Sequence, residues 1–311
     1  MAGSAFKGPL VVYGTRAPLG SGGSENPALA PSLFWGGSNL YDPRAGYNQT
    51  KAGAIGLGGG ESACINQVPS AISAVNIAAS QTPGSAALTL VSATGAGITV
   101  LAAALTVWAS GNVIPAGALA IDGPPALVSF GTNSEAGNYT YISMYDPTAA
   151  IARNVRITSG GNDSGITFLV AGYDLYGYPQ TEQITGANIG VASGKKAFKF
   201  ITSITPSGAV ASTASAGTGD VYGLPLLSSF WGDVDVVWNN ACITAPSTGY
   251  TAADTTSPAT STTGDVRGTV NVASLSGGSA SDGTKRLMVY VNPSINNLAL
   301  GAAGLFGQTP A

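Results

Sequence analysis

The chain has 311 residues, of which 44% are hydrophobic and only 9% charged, and its formal net charge is −3. Ordinary globular domains carry roughly 25% charged residues, so the surface here is left to Ser, Thr, Asn, Gly and Ala, with little like-charge repulsion between copies. A general affinity for nucleic acid, which needs clustered Lys and Arg, is not expected, and the absence of histidine removes His triads, His metal ligands and histidine pH switches.

The length allows one large β-domain or two smaller ones. The two cysteines, Cys64 and Cys242, lack the close spacing of a zinc or redox motif. They read as buried free thiols, although a bond between them stays open. No targeting segment is visible at the start, and the longest nearly apolar run, residues 98–109, is too short to span a bilayer. The expectation is a protein made in the cytoplasm that assembles there, with no membrane partner.

In chain order, residues 1–60 form an extended arm rich in Gly and Pro. The run from Gly56 to Gly60 lacks the Lys-Ser/Thr of a phosphate-binding loop and reads as a hinge. Phe34, Trp35, Tyr41 and Tyr47 lie within this arm, whereas purely disordered tails are poor in aromatics. They are expected to pack on the body or on a neighbouring subunit. Residues 61–130 are assigned to a first β-domain or sheet, because Ser62 to Ile121 holds no charged side chain. Such a block is expected to be buried on both faces or lodged in a subunit contact.

Residues 131–297 are assigned to a β-sandwich domain, and 298–311 to a C-terminal arm containing Phe306. The clearest pattern lies in 151–225. Val155 and Ile157 alternate with polar neighbours, as do Ile166, Phe168 and Val170, which is the period of half-buried strands. Turns are expected at 160–163 and 174–177. Lys196 to Thr205 supplies another strand, with Phe198, Phe200 and Ile204 on one side. Residues 245–263 form a long Ser/Thr/Ala/Pro loop, a type of segment that often carries contacts. With no capped amphipathic helix and many short strands, the fold class is all-β: one or two Ig-like or jelly-roll-like sandwiches with extended arms.

Candidate chemistry is sparse. Asp163, Asp174, Glu182 and Asp220 fall in or beside turns and offer oxygen ligands for calcium, but turns also favour Asp for local capping. Asp233 and Asp235 share a strand face and, with Trp231 and Trp238, suggest a glycosidase or sugar platform; an exposed strand face explains the pair better. Lys195, Lys196 and Lys199 read as a solvated strand end. Arg267, in the turn Gly264-Asp265-Val266-Arg267-Gly268, and Arg286, in Asp282-Gly283-Thr284-Lys285-Arg286, are candidates for Arg–carboxylate assembly contacts or for charged hairpin ends in water. No cofactor is called for, and the chain does not read as an enzyme.

The run NVRITSGGNDSGITFLVAGYDLYGYPQTEQITGANIGVASGKKAFKFITSIT (154–205), GDVRG (264–268), DGTKRL (282–287) and GLFG (304–307) resemble structural proteins encoded near the capsid genes of tailed bacteriophages. That resemblance covers about half the chain. It implies a β-sandwich on the shell exterior, a capsid decoration or cement protein that is often trimeric. It further implies that the major capsid protein and the chain itself are partners, with Phe34, Trp35, Tyr41, Tyr47, Arg267, Arg286 and Phe306 as contact candidates. The competing expectations are a tail, connector or receptor-binding component, and a carbohydrate-binding β-sandwich.

Overall fold

The computed structural model describes residues 65–107, 112–123, 127–133, 139–145, 150–224, 234–244 and 248–291. These residues contain strands and no helix, so the chain is all-β. The first half of the strands are β1 (Ile65–Gln67), β2 (Ala78–Gln81), β3 (Ile98–Val100), β4 (Leu105–Thr106), β5 (Val113–Ile114), β6 (Leu119–Ile121), β7 (Leu127–Asn133), β8 (Tyr139–Tyr145) and β9 (Arg153–Asn162). After them come β10 (Thr167–Tyr173), β11 (Pro179–Thr185), β12 (Asn188–Ser193), β13 (Phe200–Pro206), β14 (Ala214–Gly223), β15 (Val234–Trp238), β16 (Ala241–Thr244), β17 (Tyr250–Thr251), β18 (Thr269–Asn271) and β19 (Leu287–Val291).

The chain divides into two compact units. The smaller includes residues 65–66, 234–244 and 288–291 and is built on a four-stranded sheet, β16-β15-β19-β1. Its hairpin β15–β16 turns through Asn239 and Asn240, both at positive φ (50° and 72°). Asn tolerates that region better than most residues, and a two-residue turn of this kind matches strand twist. Val236, Trp238 and Val289 are buried.

The larger unit carries two main sheets. In one, the order is β12-β9-β14-β18-β17, with β2 also pairing β14; in the other it is β11-β10-β13-β6-β3. The alternation read from the sequence is what joins them. Val155 and Ile157 of β9 and Ala214 and Ala216 of β14 share a core with Phe168 and Val170 of β10 and Ile201 and Ile204 of β13. A second cluster holds Phe200, Ala120, Val107, Ile114 and Leu175. Strand β6 is therefore buried on both faces, with Leu119 and Ile121 in the first cluster and Ala120 in the second. Two hairpins complete this unit, β4–β5 and β7–β8.

Three expectations change. The uncharged block does not build a first β-domain over 61–130. β2 pairs with β14, β6 with β13 and β3 with β6, so its strands complete sheets whose other members lie far along the chain. Nor is 131–297 one domain, because 234–244 and 288–291 belong to the smaller unit. Phe198, Phe200 and Ile204 do not share a side. Between Ala171↔Ser203 and Gly172↔Ile201 the β10–β13 register shifts, leaving Thr202 as an extra residue. That bulge reverses the inward parity, so Ile204 faces the first cluster and Phe200 the second; Phe198, which lies before the strand, joins the first. Gly172 is required beside it, since a Cβ there would overlap the Phe200 carbonyl.

Candidate functional site: charges clamped in the interior

The charged side chains are few, and several lie inside the body. Arg153, Asp163, Asp174, Glu182, Lys196, Lys199, Asp265 and Arg267 are all buried. A buried charge is tolerated only when paired and hydrogen-bonded, so each marks a place where sequence-distant segments are held.

Arg153 opens β9 and is fully buried. Its Nε donates to the Gly219 carbonyl at 2.7 Å, and Nη1 donates to the Ser70 carbonyl at 2.9 Å and to Asp122 Oδ2 at 3.1 Å. Nη2 donates to Ser281 Oγ at 3.0 Å, and the guanidinium carbon sits 5.0 Å from the centre of the Tyr222 ring. Asp122 in turn accepts from the Ser70 amide at 2.8 Å and its hydroxyl at 2.6 Å. Asp220 accepts from the Ser281 amide at 3.0 Å and from the Ser281 hydroxyl. One planar fork of donors thereby joins the segments around residues 70, 122, 219 and 281. Burial pushes the Tyr222 phenol up. Nearby, Lys199 donates to the Ile121 carbonyl, and burial lowers its ammonium to about 8 against the opposing pull of Asp122.

Arg267 anchors the second cluster. Nε and Nη2 both reach Asp174 Oδ2, at 3.1 and 2.8 Å, and the guanidinium lies 4.3 Å from the Tyr176 ring centre. The other oxygen of Asp174 caps its own turn by accepting from the Tyr176 and Tyr178 amides, each at 2.8 Å. Asp265 accepts from the Arg267 amide at 2.9 Å and the Ala197 amide at 2.8 Å, while burial raises its carboxyl to about 6.

Glu182 is the third point. Its Oε1 accepts from the amides of Lys195 (2.7 Å) and Lys196 (3.1 Å), whereas Oε2 is buried with no hydrogen-bond partner. Burial raises this carboxyl to about 7; the two amides and the Lys196 charge pull the other way. Gly194 keeps the space open, since a Cβ there would overlap Oε2.

These placements settle several readings. Arg267 is interior, bound to Asp174, and is not a surface turn contact; Arg286 is exposed immediately before β19. Lys196 and Lys199 are not a solvated strand end, as each is 1% exposed; Lys195 alone is on the surface. Asp163, Asp174, Glu182 and Asp220 do not converge. Asp163 caps the Ala211 amide at 2.7 Å, and the other three serve the clusters above. Among the described residues no group of three or more His, Cys, Asp or Glu is arranged to hold a metal. Trp238 is buried in its sheet and offers no sugar platform. Phe34, Trp35, Tyr41, Tyr47, Phe306, Cys64, Trp231 and Asp233 lie outside the described residues.

Two shallow hollows mark the surface of the larger unit, of about 310 and 340 Å³. Tyr173 and Gln180 are on the wall of the first, Gln81 and Thr89 on that of the second. Neither is lined by a buried acid, lysine or arginine. None of the perturbed groups lines either of these two hollows, and their hydrogen bonds cross-link distant segments.

The chain matches no family model, no curated protein and no solved structure.

Arg153 and Asp122 escaped sequence reasoning, and Asp265 entered it only as part of a charged turn. One trace of them was present: Asp122 is the residue that ends the uncharged block. In a chain with so few charges, one set against an apolar strand is a candidate for interior pairing.

Proposed function

We propose that the chain is a virion structural protein of a tailed bacteriophage, a capsid decoration or cement protein that binds the outer surface of the head and stabilises contacts between capsomers. The observation that carries this reading is where the charge lies. Among the described residues eight of the buried side chains are acidic or basic, in a chain with 12 basic and 15 acidic residues in all. Charge held in internal clamps lowers further the little that is left for the surface, which then repels neighbouring copies weakly and favours close assembly.

The internal clamps support the same reading from the mechanical side, because a shell additive must resist being pulled apart. The major capsid protein and further copies of the chain, as a trimer, are the proposed partners, with Arg286 and the aromatics of the two arms as contacts. No catalytic step, nucleic acid or membrane enters this proposal. The sugar-binding alternative loses support from the burial of Trp238.

Electron microscopy of virions with and without the protein tests the proposal. Protrusions on the head that vanish with the protein are the expected result. Density on the tail or at the connector would replace it with the competing virion role, and particles unaltered in both places would remove the virion reading altogether.

A further inference from the structure

The segment that follows β17 runs across the edge of β11, and three hydrogen bonds tie its tip to the surroundings of Glu182. Gln183, the next residue on β11, donates its amide to the Ser261 carbonyl at 2.8 Å. The turn capped by Glu182 supplies the other two ties: Lys196 Nζ to the Thr260 carbonyl at 2.7 Å, and Lys195 Nζ to the Thr262 carbonyl at 3.0 Å. Inside the segment, Asp254 accepts from the Gly264 amide at 2.7 Å and the Thr256 amide at 2.9 Å, and its own amide donates to the Asp265 carbonyl at 2.9 Å. The segment is therefore a preformed strap, tied to β11 and the 195–197 turn beside Glu182.

We propose that residues 252–265 are a proton-controlled strap, closed over the edge of β11 while the Glu182 carboxyl is protonated and released as that carboxyl ionises. The proposal is independent of the proposed function and concerns the fold itself.

The geometry gives the direction. Glu182 Oε2 is sealed from solvent and has no donor. Ionising the group leaves half of a carboxylate without hydrogen bonds, a cost that opening to water removes. Other charges around it divide. The Lys195 and Lys196 amides and the Lys196 ammonium favour the ion, while the Asp265 carboxyl opposes it. Beyond Asp265 lie Arg267 and Asp174, of opposite sign, and Asp254 adds to the acidic side felt by Lys196. Desolvation is the largest influence on Glu182, and it keeps the proton on near neutrality. In this proposal, opening of the strap and of the Lys195–Lys196 turn it is tied to hydrates the carboxyl, so opening releases a proton and alkaline conditions favour it.

Amide hydrogen exchange on the full-length protein, corrected for the intrinsic pH dependence of exchange, tests this. The Gln183 amide is compared with the amides of β10 at pH 5.5 and pH 8. The expected result is that Gln183 opening increases about tenfold on going to pH 8 relative to β10, and that E182Q, which keeps a carbonyl for the two amides but cannot ionise, abolishes the increase. Unchanged Gln183 protection in the wild type overturns the proposal. So does an increase that survives in E182Q, or one removed by D265N and not by E182Q. Should E182Q fail to fold, the NMR titration of the Glu182 carboxyl in the wild type decides: a midpoint near 7 that tracks Gln183 opening supports the strap, and a midpoint below about 5 sinks it.

Discussion

The Arg153 cluster and the Glu182 cluster hold the same larger unit together by opposite means. At Arg153 all three guanidinium nitrogens donate to oxygen, and the ring of Tyr222 covers the plane. Around Glu182 the amides are satisfied, but one carboxylate oxygen has nothing to accept from. A buried polar group that is fully matched fixes the structure, while one left half matched holds it only in one protonation state. The difference separates a permanent clamp from a conditional one.

The sharpest way to break the comparison is to remove the permanent clamp. R153M keeps most of the volume but takes the guanidinium from Asp122, which is left with only the Ser70 donors, and from the carbonyls of Ser70 and Gly219. A loss of about 3–5 kcal/mol in denaturant unfolding is expected, the scale for breaking one side of a buried pair. A loss under about 1 kcal/mol would show that the network merely decorates a core that stands without it.

The conditional clamp is read next from stability against pH. An unfolded Glu ionises near 4.5, while Glu182 in the fold holds its proton to about 7. Between these values the native state binds more protons, so stability falls as pH rises, by about 3 kcal/mol at most. Asp265, raised to about 6, adds in the same direction. Lys199 acts in the opposite sense at higher pH. Its folded ammonium gives up its proton near 8, whereas in the unfolded chain it does so near 10.5, so stability recovers between those values. Unfolding measured from pH 5 to pH 10 should pass through a minimum near pH 7–8, and E182Q should make that minimum shallower. A curve that rises steadily across this range would contradict the raised carboxyls of Glu182 and Asp265.

The smallest effect is expected outside both clusters. Lys285 and Asp282 form an ion pair three residues apart at the surface. K285A should leave the midpoint of thermal unfolding within experimental error, since exposed pairs contribute little. A clear drop there would mean that the solvent-facing charges matter as much as the buried ones, and the contrast between interior and surface would lose its force.

How far the sequence revealed these features depends on whether the cause is local. Strands β9 and β10 were legible because alternation at Val155, Ile157, Phe168 and Val170 is a property of neighbours. Strand β13 was legible as a strand but not in register, because Thr202 bulges only against its partner β10. The uncharged block looked like a domain because composition contains no record of which distant strand will complete a sheet. Lys196 and Lys199 looked solvated for the same reason. Their partners, the carbonyls of Thr260 and Ile121, are 64 and 78 residues away. The segment 245–263 reads as loop throughout, yet Tyr250–Thr251 pairs with β18, and its tie to β11 lies beside Glu182, whose burial no local pattern announces.

Strand β14 accepts β2 along its first half and β18 along its last, two strands separated by nearly the whole length of the unit. Closing such separated contacts costs chain entropy before any pairing rewards it, which slows folding. During synthesis the sheet has an open side until residues 269–271 emerge, and Arg153 lacks its Ser281 acceptor, 128 residues downstream, for longer still. The unit therefore has no natural stopping place on the ribosome: a chain released short of Ser281 carries a core cation with its shell of acceptors incomplete.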